Sequence, residues 1–280
     1  MLRLSLVVII AILSPSILWA DGCPSGKNEL IFGVHPYKTP PIINRSFSPM
    51  VIYLSGKLNC PVKLYISPDY ASHQNKLFQG ELDLAYAGPA LYANKISLKP
   101  HHYLGTLENS GKSFFNGHII ALKSNNKINR IADLKGKRFA FGDKNSTMSY
   151  IVPLYEMKKN DITIDLFESY KHLGNHEDVA LAVLFGTFDA GAVKEAVYQK
   201  YRPRGVKSIF KTRDIPEHVF VANSTFSKRW IGKLQNILTT MHKEKKGKVV
   251  LQKIKKDTSK IVILDTKKYQ ILRDIFKQSN

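Results

Sequence analysis

Apolar and polar residues alternate along the chain in two patterns, one typical of buried strands and the other of helices. Short apolar runs at residues 29–34, 62–67 and 82–88 predict strands. Between them, residues 47–58 carry apolar side chains at helical spacing, and Asp69 predicts the cap of a helix that ends before Gly80. Since strands and helices alternate, the pattern predicts an α/β fold with mixed, mostly parallel sheets.

The same alternation starts again near residue 118. Strands are predicted at 118–124, 139–141, 166–170, 188–193 and 218–224, a helix at 175–185, and three helical stretches after them. Two such units without a flexible linker predict two lobes, with a ligand cleft between them at the carboxyl ends of the strands. The predicted division is a signal peptide at 1–20, the first part of lobe 1 at 24–115, lobe 2 at 116–220, and a return to lobe 1 with C-terminal helices at 221–280.

The N-terminus indicates export. Arg3 precedes an apolar run at residues 4–13, which is too short to span a bilayer comfortably and is followed by Ser14, Pro15 and the small residue Ala20. This pattern predicts a signal peptide cleaved near Ala20 and a chain that works outside the cytoplasm, in the periplasm. An uncleaved, membrane-anchored form is the alternative.

Export favours a disulfide between the two cysteines. Cys23 lies just before the first predicted strand, and Cys60 opens the second. If those strands are parallel neighbours, both cysteines lie at one edge of the sheet, and a bond there would contribute roughly 3–4 kcal/mol. Lipid modification of Cys23 is the rival interpretation. Two cysteines without matching histidine spacing predict no metal site, and no cofactor is predicted.

The charge of the chain points to an anionic partner. The formal net charge is +20, and many of the lysines lie in residues 242–260, a stretch that forms either a solvated helix face or a docking surface for an acidic partner. Export, and the absence of basic runs interleaved with aromatic residues, argue against nucleic-acid binding.

Residues 139–153, FAFGDKNSTMSYIVP, run an apolar strand into glycine and then into several hydroxyl residues before a helix. Short hydroxyl residues can cap the first amides of a helix. The same amides, hydroxyls and helix dipole can instead form a socket for an oxyanion. Pro153 lacks an N–H group and crowds the preceding turn, so a distorted first turn is expected.

Four motifs together carry a family resemblance: residues 32–41 (FGVHPYKTPP), 67–92, 133–153 and 174–198. In this order they resemble the phosphonate- and phosphite-binding (PhnD-type) periplasmic proteins. The resemblance implies a two-lobed type II periplasmic-binding-protein fold and the role of a solute-binding component of an ABC importer. It also implies a small phosphorus oxyanion (phosphonate, phosphite or phosphate) as ligand and a membrane permease as partner. A monomer without catalytic activity is expected.

The resemblance also implies ligand-binding residues. The family's Asn-Ser-Thr turn matches Asn145, Ser146 and Thr147, and is followed here by Met148 and Ser149 where the family usually has Ser-Gly. The family's tyrosine and histidine match Tyr70 and His176.

Further candidates come from position along the chain. Tyr37 lies in the turn after the first strand, Tyr86 lies in the third strand and faces either the cleft or the core, and His218 is a candidate for an additional anion contact. Phe115 stands where a tyrosine is often found. Residues 194–196 read Lys-Glu-Ala where carboxylates would suit an aminoalkylphosphonate, so a smaller or more anionic ligand is expected.

Two other functions compete with solute transport. A sensor would dock on a membrane receptor instead of a permease, and the sequence does not separate the two. A hydrolase would use Ser146 or Thr147 as nucleophile and His176 as base, but the chain lacks a Gly-x-Ser-x-Gly elbow and a P-loop pattern.

Overall fold

The first lobe is built on a six-stranded sheet. The computed structural model describes residues 22–94 and 101–279. The strands of this sheet, in spatial order, are β13 (Thr258–Val262), β4 (His102–Asn109), β12 (Val219–Ala222), β3 (Leu84–Ala87), β1 (Leu30–Val34) and β2 (Val62–Ile66). Strand β1 pairs in parallel with β2 and β3, whereas β12 runs antiparallel to β3 and β4, and β13 antiparallel to β4.

The second lobe is built on a five-stranded sheet. Its spatial order is β10 (Val206–Lys211), β6 (Gly117–Leu122), β9 (Ala190–Lys194), β7 (Arg138–Phe141) and β8 (Ser169–His172). Strand β7 is parallel to β8 and β9, and β6 is antiparallel to β9 and β10. A two-stranded ribbon of β5 (Phe114–Phe115) and β11 (Ile215–Pro216) lies where the chain passes between the sheets.

The sheets are mixed, as predicted, but they are not mostly parallel. Among the described residues, the two large sheets contain four parallel and five antiparallel strand pairings. The reason is the route of the chain: β12 returns to the first sheet from the second lobe and enters it in the opposite sense to β3 and β4. The predicted boundaries at 115/116 and 220/221 lie close to the two crossings, and the exact residue bounds of the lobes stay a prediction.

Helices cover both sheets. Their bounds are α1 (Pro40–Leu58), α2 (Tyr70–Phe78), α3 (Pro89–Asn94), α4 (Val152–Lys158), α5 (His176–Leu184), α6 (Glu195–Tyr201), α7 (Lys228–Thr240), α8 (Lys245–Ile254) and α9 (Gln270–Ser279). Helix α1 begins earlier than predicted, at a Pro-Pro pair that is preorganised for a first helical turn. The lysine-rich stretch at 242–260 forms α8, whose apolar side is buried, and leads into β13.

Alternating side chains place a hydrophobic core on each face of a sheet. In β3, Leu84 and Tyr86 join one buried cluster, whereas Ala85 and Ala87 join another on the opposite face. In the second lobe, Phe139 and Phe141 of β7 pack on one side of the sheet, with smaller residues on the other. Both sheets are therefore middle layers, and their strand ends are left to form the walls of a cleft.

The predicted disulfide is confirmed. Cys23 and Cys60 are bonded, with their Cα atoms 4.9 Å apart, next to the parallel pair β1–β2. A sulfur in this bond cannot carry a lipid, so the rival interpretation of Cys23 does not apply to this form. The predicted signal peptide lies outside the described residues. Within 22–94 and 101–279, no helix is both long and apolar enough to cross a bilayer.

Candidate functional site

Two neighbouring cavities lie where the lobes meet. The inner cavity, of about 10 Å³, is lined by six of the predicted residues, namely Tyr70, Ser146, Thr147, Met148, His176 and His218, together with His35, Gly88, Phe115 and Lys194. The outer cavity, of about 630 Å³, is lined by Tyr37 and Tyr86 and shares Phe115, Lys194 and His218 with the inner one. Of the predicted ligand-binding residues, Ser149 lines neither cavity, and neither does Asn145 of the Asn-Ser-Thr turn.

The hydroxyl-rich segment at residues 145–149 leads into a wide first turn, which agrees with the distortion expected from Pro153. Residues Thr147–Ile151 adopt a π-helical turn that continues into α4, with the Ile151 amide donating to the Ser146 carbonyl at 3.0 Å. Hydrogen bonds that span five residues widen the turn relative to an α-helix. Pro153 lies in the first turn of α4, where a missing N–H group is tolerated.

Ser146 does not cap this turn. It occupies the cap position and is only 2% exposed, yet within the described residues its side chain makes no capping hydrogen bond. Its Oγ lies 3.5 Å from Nε2 of His176, which is at the outer limit of a hydrogen bond. The first amides of a helical turn have no intrahelical acceptor. The Ser146 hydroxyl also forms a hydrogen bond with the Tyr70 side chain, so a ligand in the inner cavity would bind these amides and replace the present partners of Ser146.

Thr147 connects the two lobes. Its Oγ1 accepts a hydrogen bond of 3.1 Å from the amide of Ala90 in α3. The hydroxyl proton of Thr147 remains available to an acceptor in the inner cavity. Met148 is buried beside it, and its sulfur accepts a weak hydrogen bond from the Thr212 hydroxyl at 3.7 Å.

The prediction that Ser149 contacts a ligand does not agree with its position. Its Oγ donates to the Ala192 carbonyl at 2.5 Å and accepts from the Gly142 amide at 2.9 Å, and the residue is fully buried. The wide turn rotates Ser149 away from the cavity and towards β9. Its hydroxyl therefore ties the turn to the sheet.

The hydrogen bonds of His176 define its tautomer. The backbone amide of Lys194 donates to Nδ1 at 3.2 Å, so Nδ1 carries the lone pair and Nε2 carries the proton in the neutral ring. Burial lowers the pKa of His176 well below its ordinary value, and the charge of Lys194 lowers it further. His176 therefore presents a neutral Nε2–H donor to the inner cavity.

His35 was not predicted as a site residue, yet it lines the inner cavity. It follows β1 directly, and that position at the carboxyl end of a central strand was the signal that could have identified it. Its Nδ1 donates to the Tyr86 carbonyl at 3.0 Å, and its ring stacks on His218 at 5.4 Å between centroids. Burial, reinforced by the neighbouring His218 and His73, lowers the pKa of His35 well below its ordinary value.

The tyrosines keep their protons. Tyr70 is the first residue of α2, with its ring 5.0 Å from that of His35, and burial raises its pKa. Burial also raises the pKa of Tyr37 and of Tyr86, whose ring stacks on His218 at 5.0 Å. A neutral phenol can donate a hydrogen bond to an anion, and Tyr70 is the one of these three that lines the inner cavity.

Lys194 supplies the cation. It ends β9 and lines both cavities, and its Nζ lies 4.3 Å from the centroid of the Tyr37 ring. Burial lowers the pKa of Lys194 to about 7, with nearby Lys38 as a second cause. Sequence reasoning noted this residue only as a departure from a carboxylate and did not predict it as a ligand contact.

The inner cavity thus has the chemistry of an anion site. Neutral O–H and N–H donors and one ammonium group line it, and none of its described lining residues is acidic. The described residues also contain no cluster of three or more side chains suited to a metal ion. Fixed donors and one cation without a nearby carboxylate favour an oxyanion over a cation or a neutral ligand.

Two α/β lobes with such a cavity between them define a solute-binding protein of the type II periplasmic class. The profile of the family described as "ABC transporter, phosphonate, periplasmic substrate-binding protein" matches residues 32–269. The chain belongs to this family.

Relatives agree in length and fold. The Phosphate-import protein PhnD of Mycolicibacterium smegmatis is 24% identical, over 80% of this chain and 74% of that protein. A probable ABC transporter phosphite binding protein of Prochlorococcus marinus is 22% identical over 91% of each chain. A structure of the P. marinus protein in complex with methylphosphonate superposes with a TM-score of 0.81 at 20% identity, covering 90% of this chain and 98% of that one.

Proposed function

We propose that this chain binds a small phosphorus oxyanion in the inner cavity and presents it, outside the cytoplasm, to the permease of an ABC importer. The observation that carries the proposal is the uncapped turn at Ser146, which lies beside Lys194 in a cavity whose described lining contains no carboxylate. Family membership supports the role in transport, and the phosphate, phosphite and methylphosphonate named for the relatives support the ligand class.

Each polar group has a distinct role in this proposal. Ser146, Thr147 and Tyr70 donate O–H bonds to the oxygens, His176 donates through Nε2, and Lys194 neutralises charge. A hydrogen bond to a charged group contributes roughly 1.5–3 kcal/mol, so several together exceed the cost of association and give micromolar binding or better.

Binding requires the lobes to move. A cavity of about 10 Å³ has room for about one water molecule, which is less than a phosphonate needs. The hydrogen bond from Ala90 to Thr147 joins the lobes next to this cavity. We expect the lobes to part at this contact, admit the anion and close around it, which gives the permease a closed form to recognise.

A hydrolase is the weaker proposal. The distance from Ser146 to His176 would suit a nucleophile and its base, but a base needs a lone pair on the nitrogen that faces the hydroxyl. Because the Lys194 amide donates to Nδ1, the lone pair of neutral His176 lies on the other side of the ring. This arrangement supports a donor to an anion.

Thermal unfolding tests the ligand class directly. The purified chain without residues 1–20 is heated with phosphite, phosphate, methylphosphonate, 2-aminoethylphosphonate, sulfate or a sulfonate. A ligand at 100 times its Kd stabilises the folded state by about 2.7 kcal/mol, which is a shift of several degrees. We expect this shift with at least one of the first three anions. An unchanged melting temperature with the whole panel at millimolar concentration would contradict the proposal.

A further inference from the structure

The outer cavity is much larger than a phosphite or methylphosphonate requires. It is adjacent to the inner cavity, since Phe115, Lys194 and His218 line both. A ligand held by its phosphorus group in the inner cavity would therefore extend any substituent into the outer one. The chemistry of the outer walls decides which substituent fits.

Two lysines flank one aromatic ring in the outer cavity. Nζ of Lys194 lies 4.3 Å from the centroid of the Tyr37 ring, and Nζ of Lys38 lies 5.5 Å from it. The two ammonium groups can therefore be no further apart than these two distances together. Lys38 is partly buried and lines the outer cavity only.

Neither of these two cations has a close ion-pair partner among the described residues, although Glu177 acts on both and Glu217 on Lys194 at longer range. Among the described residues, no carboxylate oxygen lies within 4 Å of either ammonium group, although other lysines of the same walls form ion pairs. The charge of Lys38 also helps to lower the pKa of Lys194. Two like charges that face one cavity without a carboxylate in direct contact among the described residues are costly for the folded protein, and an anion between them would reduce that cost.

The acidic residues of the outer cavity form ion pairs or hydrogen bonds with other residues. Glu177 bonds to Lys200 at 2.7 Å, and Glu195 to His118 at 2.7 Å. Glu217 accepts from Asn109 at 2.8 Å and from His218 at 2.9 Å, and Asp257 lies 3.7 Å from Lys255. These carboxylates therefore have closer partners than Lys38 and Lys194, on which Glu177 and Glu217 act only at longer range.

We propose that the outer cavity binds a second anionic group of the same ligand, so that the ligand is a phosphonate with a carboxylate on a short carbon chain. The phosphorus group occupies the inner cavity beside Ser146, and the carboxylate lies next to Tyr37, between Lys38 and Lys194. Apolar parts of Leu107, Phe114 and Ile254 in the outer wall accommodate the methylene groups. This inference rests on the proposed function, since it assumes that the inner cavity holds the phosphorus oxyanion.

The arrangement selects against a cationic tail. The ammonium group of an aminoalkylphosphonate would enter the space between two lysines, where like charges repel. An uncharged alkyl tail would fit the volume but would leave both lysines without a partner. The order of affinity is therefore carboxylated, then alkyl, then amino phosphonate.

Calorimetric titration at pH 6.5 tests this order. The ligands are 3-phosphonopropionate, propylphosphonate (in which a methyl group replaces the carboxylate) and methylphosphonate. We expect 3-phosphonopropionate to bind at least tenfold more tightly than propylphosphonate. In Lys38→Met the ratio of the two dissociation constants falls below threefold. The control, Lys123→Met, removes one exposed lysine that lines neither cavity, and it keeps the ratio of the unmodified protein.

The outcomes separate this inference from the proposed function. Equal affinities for 3-phosphonopropionate and propylphosphonate in the unmodified protein would overturn the inference, and methylphosphonate binding would leave the proposed function intact. An unchanged ratio in Lys38→Met would also overturn it. Binding of none of the three phosphonates would overturn both.

Discussion

Three of the helical segments that begin near the two cavities satisfy their first amides in different ways. At the start of α2, Asp69 accepts a hydrogen bond of 2.6 Å from the Ser72 amide. At the start of α5, the Asn175 side chain accepts from the Glu177 and Asp178 amides at 2.9 and 3.1 Å. The wide turn before α4 begins at Ser146, whose side chain caps nothing among the described residues.

This difference separates groups that stabilise the fold from groups that remain for a ligand. A side-chain cap contributes about 1 kcal/mol to stability by satisfying the orphan amides of a helix. The turn at Ser146 lacks this stabilisation, although serine is a common capping residue and Ser146 occupies the cap position. Functional sites commonly retain such unsatisfied groups at a cost in stability.

The largest effect is expected for the double variant Ser146→Ala, Thr147→Ala. Removing two charge-assisted hydrogen bonds, at roughly 1.5–3 kcal/mol each, weakens phosphonate binding by about 100-fold or more, and by no less than tenfold if only one of the two contributes. Because Ser146 caps nothing, its removal costs little stability. Calorimetry and thermal unfolding measure the two quantities. Unchanged affinity with a large loss of stability would show that these hydroxyls serve only the fold.

Replacing Lys194 with an uncharged residue should lower the affinity for the anion and raise the stability of the ligand-free protein. In Lys194→Met the anion loses its charge partner, and affinity falls by about tenfold or more. The ligand-free protein becomes more stable, since a partly buried ammonium without a carboxylate is replaced by an apolar side chain. Lys123→Met controls for the change in net charge. A variant that is less stable and binds normally would contradict this role for Lys194.

The pH dependence should follow Lys194, whose pKa lies near 7 in the folded protein. Between pH 7 and the ordinary pKa of lysine, the unfolded chain binds more protons than the folded chain, so this group makes stability rise with pH across that window. Phosphonate affinity falls as pH rises from 6 to 8 because the ammonium loses its proton. Subtracting the profile of Lys194→Met isolates the effect. If the unmodified protein and Lys194→Met had the same dependence of affinity and stability on pH, Lys194 would not titrate between pH 6 and 8.

The smallest effect concerns the capped helix α2. Asp69→Ala removes the cap and lowers the free energy of unfolding by about 1 kcal/mol. Affinity changes less than threefold, because Asp69 lines neither cavity. Denaturant unfolding and calorimetry provide the comparison with the Ser146 variant. A loss of affinity as large as that of the double variant would remove the distinction between capped and uncapped helix starts.

Most of the architecture could be predicted because it is encoded locally. Apolar runs identified β1, β3 and β7, and Asp69 and Asn175 marked helix starts that the structure has. The edge strands β10 and β13 were missed. Each pairs with one neighbour only, and lysines interrupt its apolar pattern, so the sequence resembles a polar loop.

The site could be predicted only where position along the chain determines it. Ser146 and Thr147 follow a strand and begin a helix, and that pattern is visible in the sequence. The tautomer of His176 depends on an amide of another strand, at Lys194. The low pKa of Lys194 depends on burial between two lobes. The hydroxyl of Ser149 bonds Ala192 and Gly142 because the wide turn changes which hydroxyls face the cavity, and the sequence does not show that turn.

A crystal structure of the chain with methylphosphonate tests the central claim most directly. We expect phosphonate oxygens at about 2.7–3.2 Å from the Ser146 and Thr147 hydroxyls or the amides of their turn, with Nζ of Lys194 close by. A phosphonate bound elsewhere, with Ser146 still turned towards His176 and without a ligand contact, would contradict it.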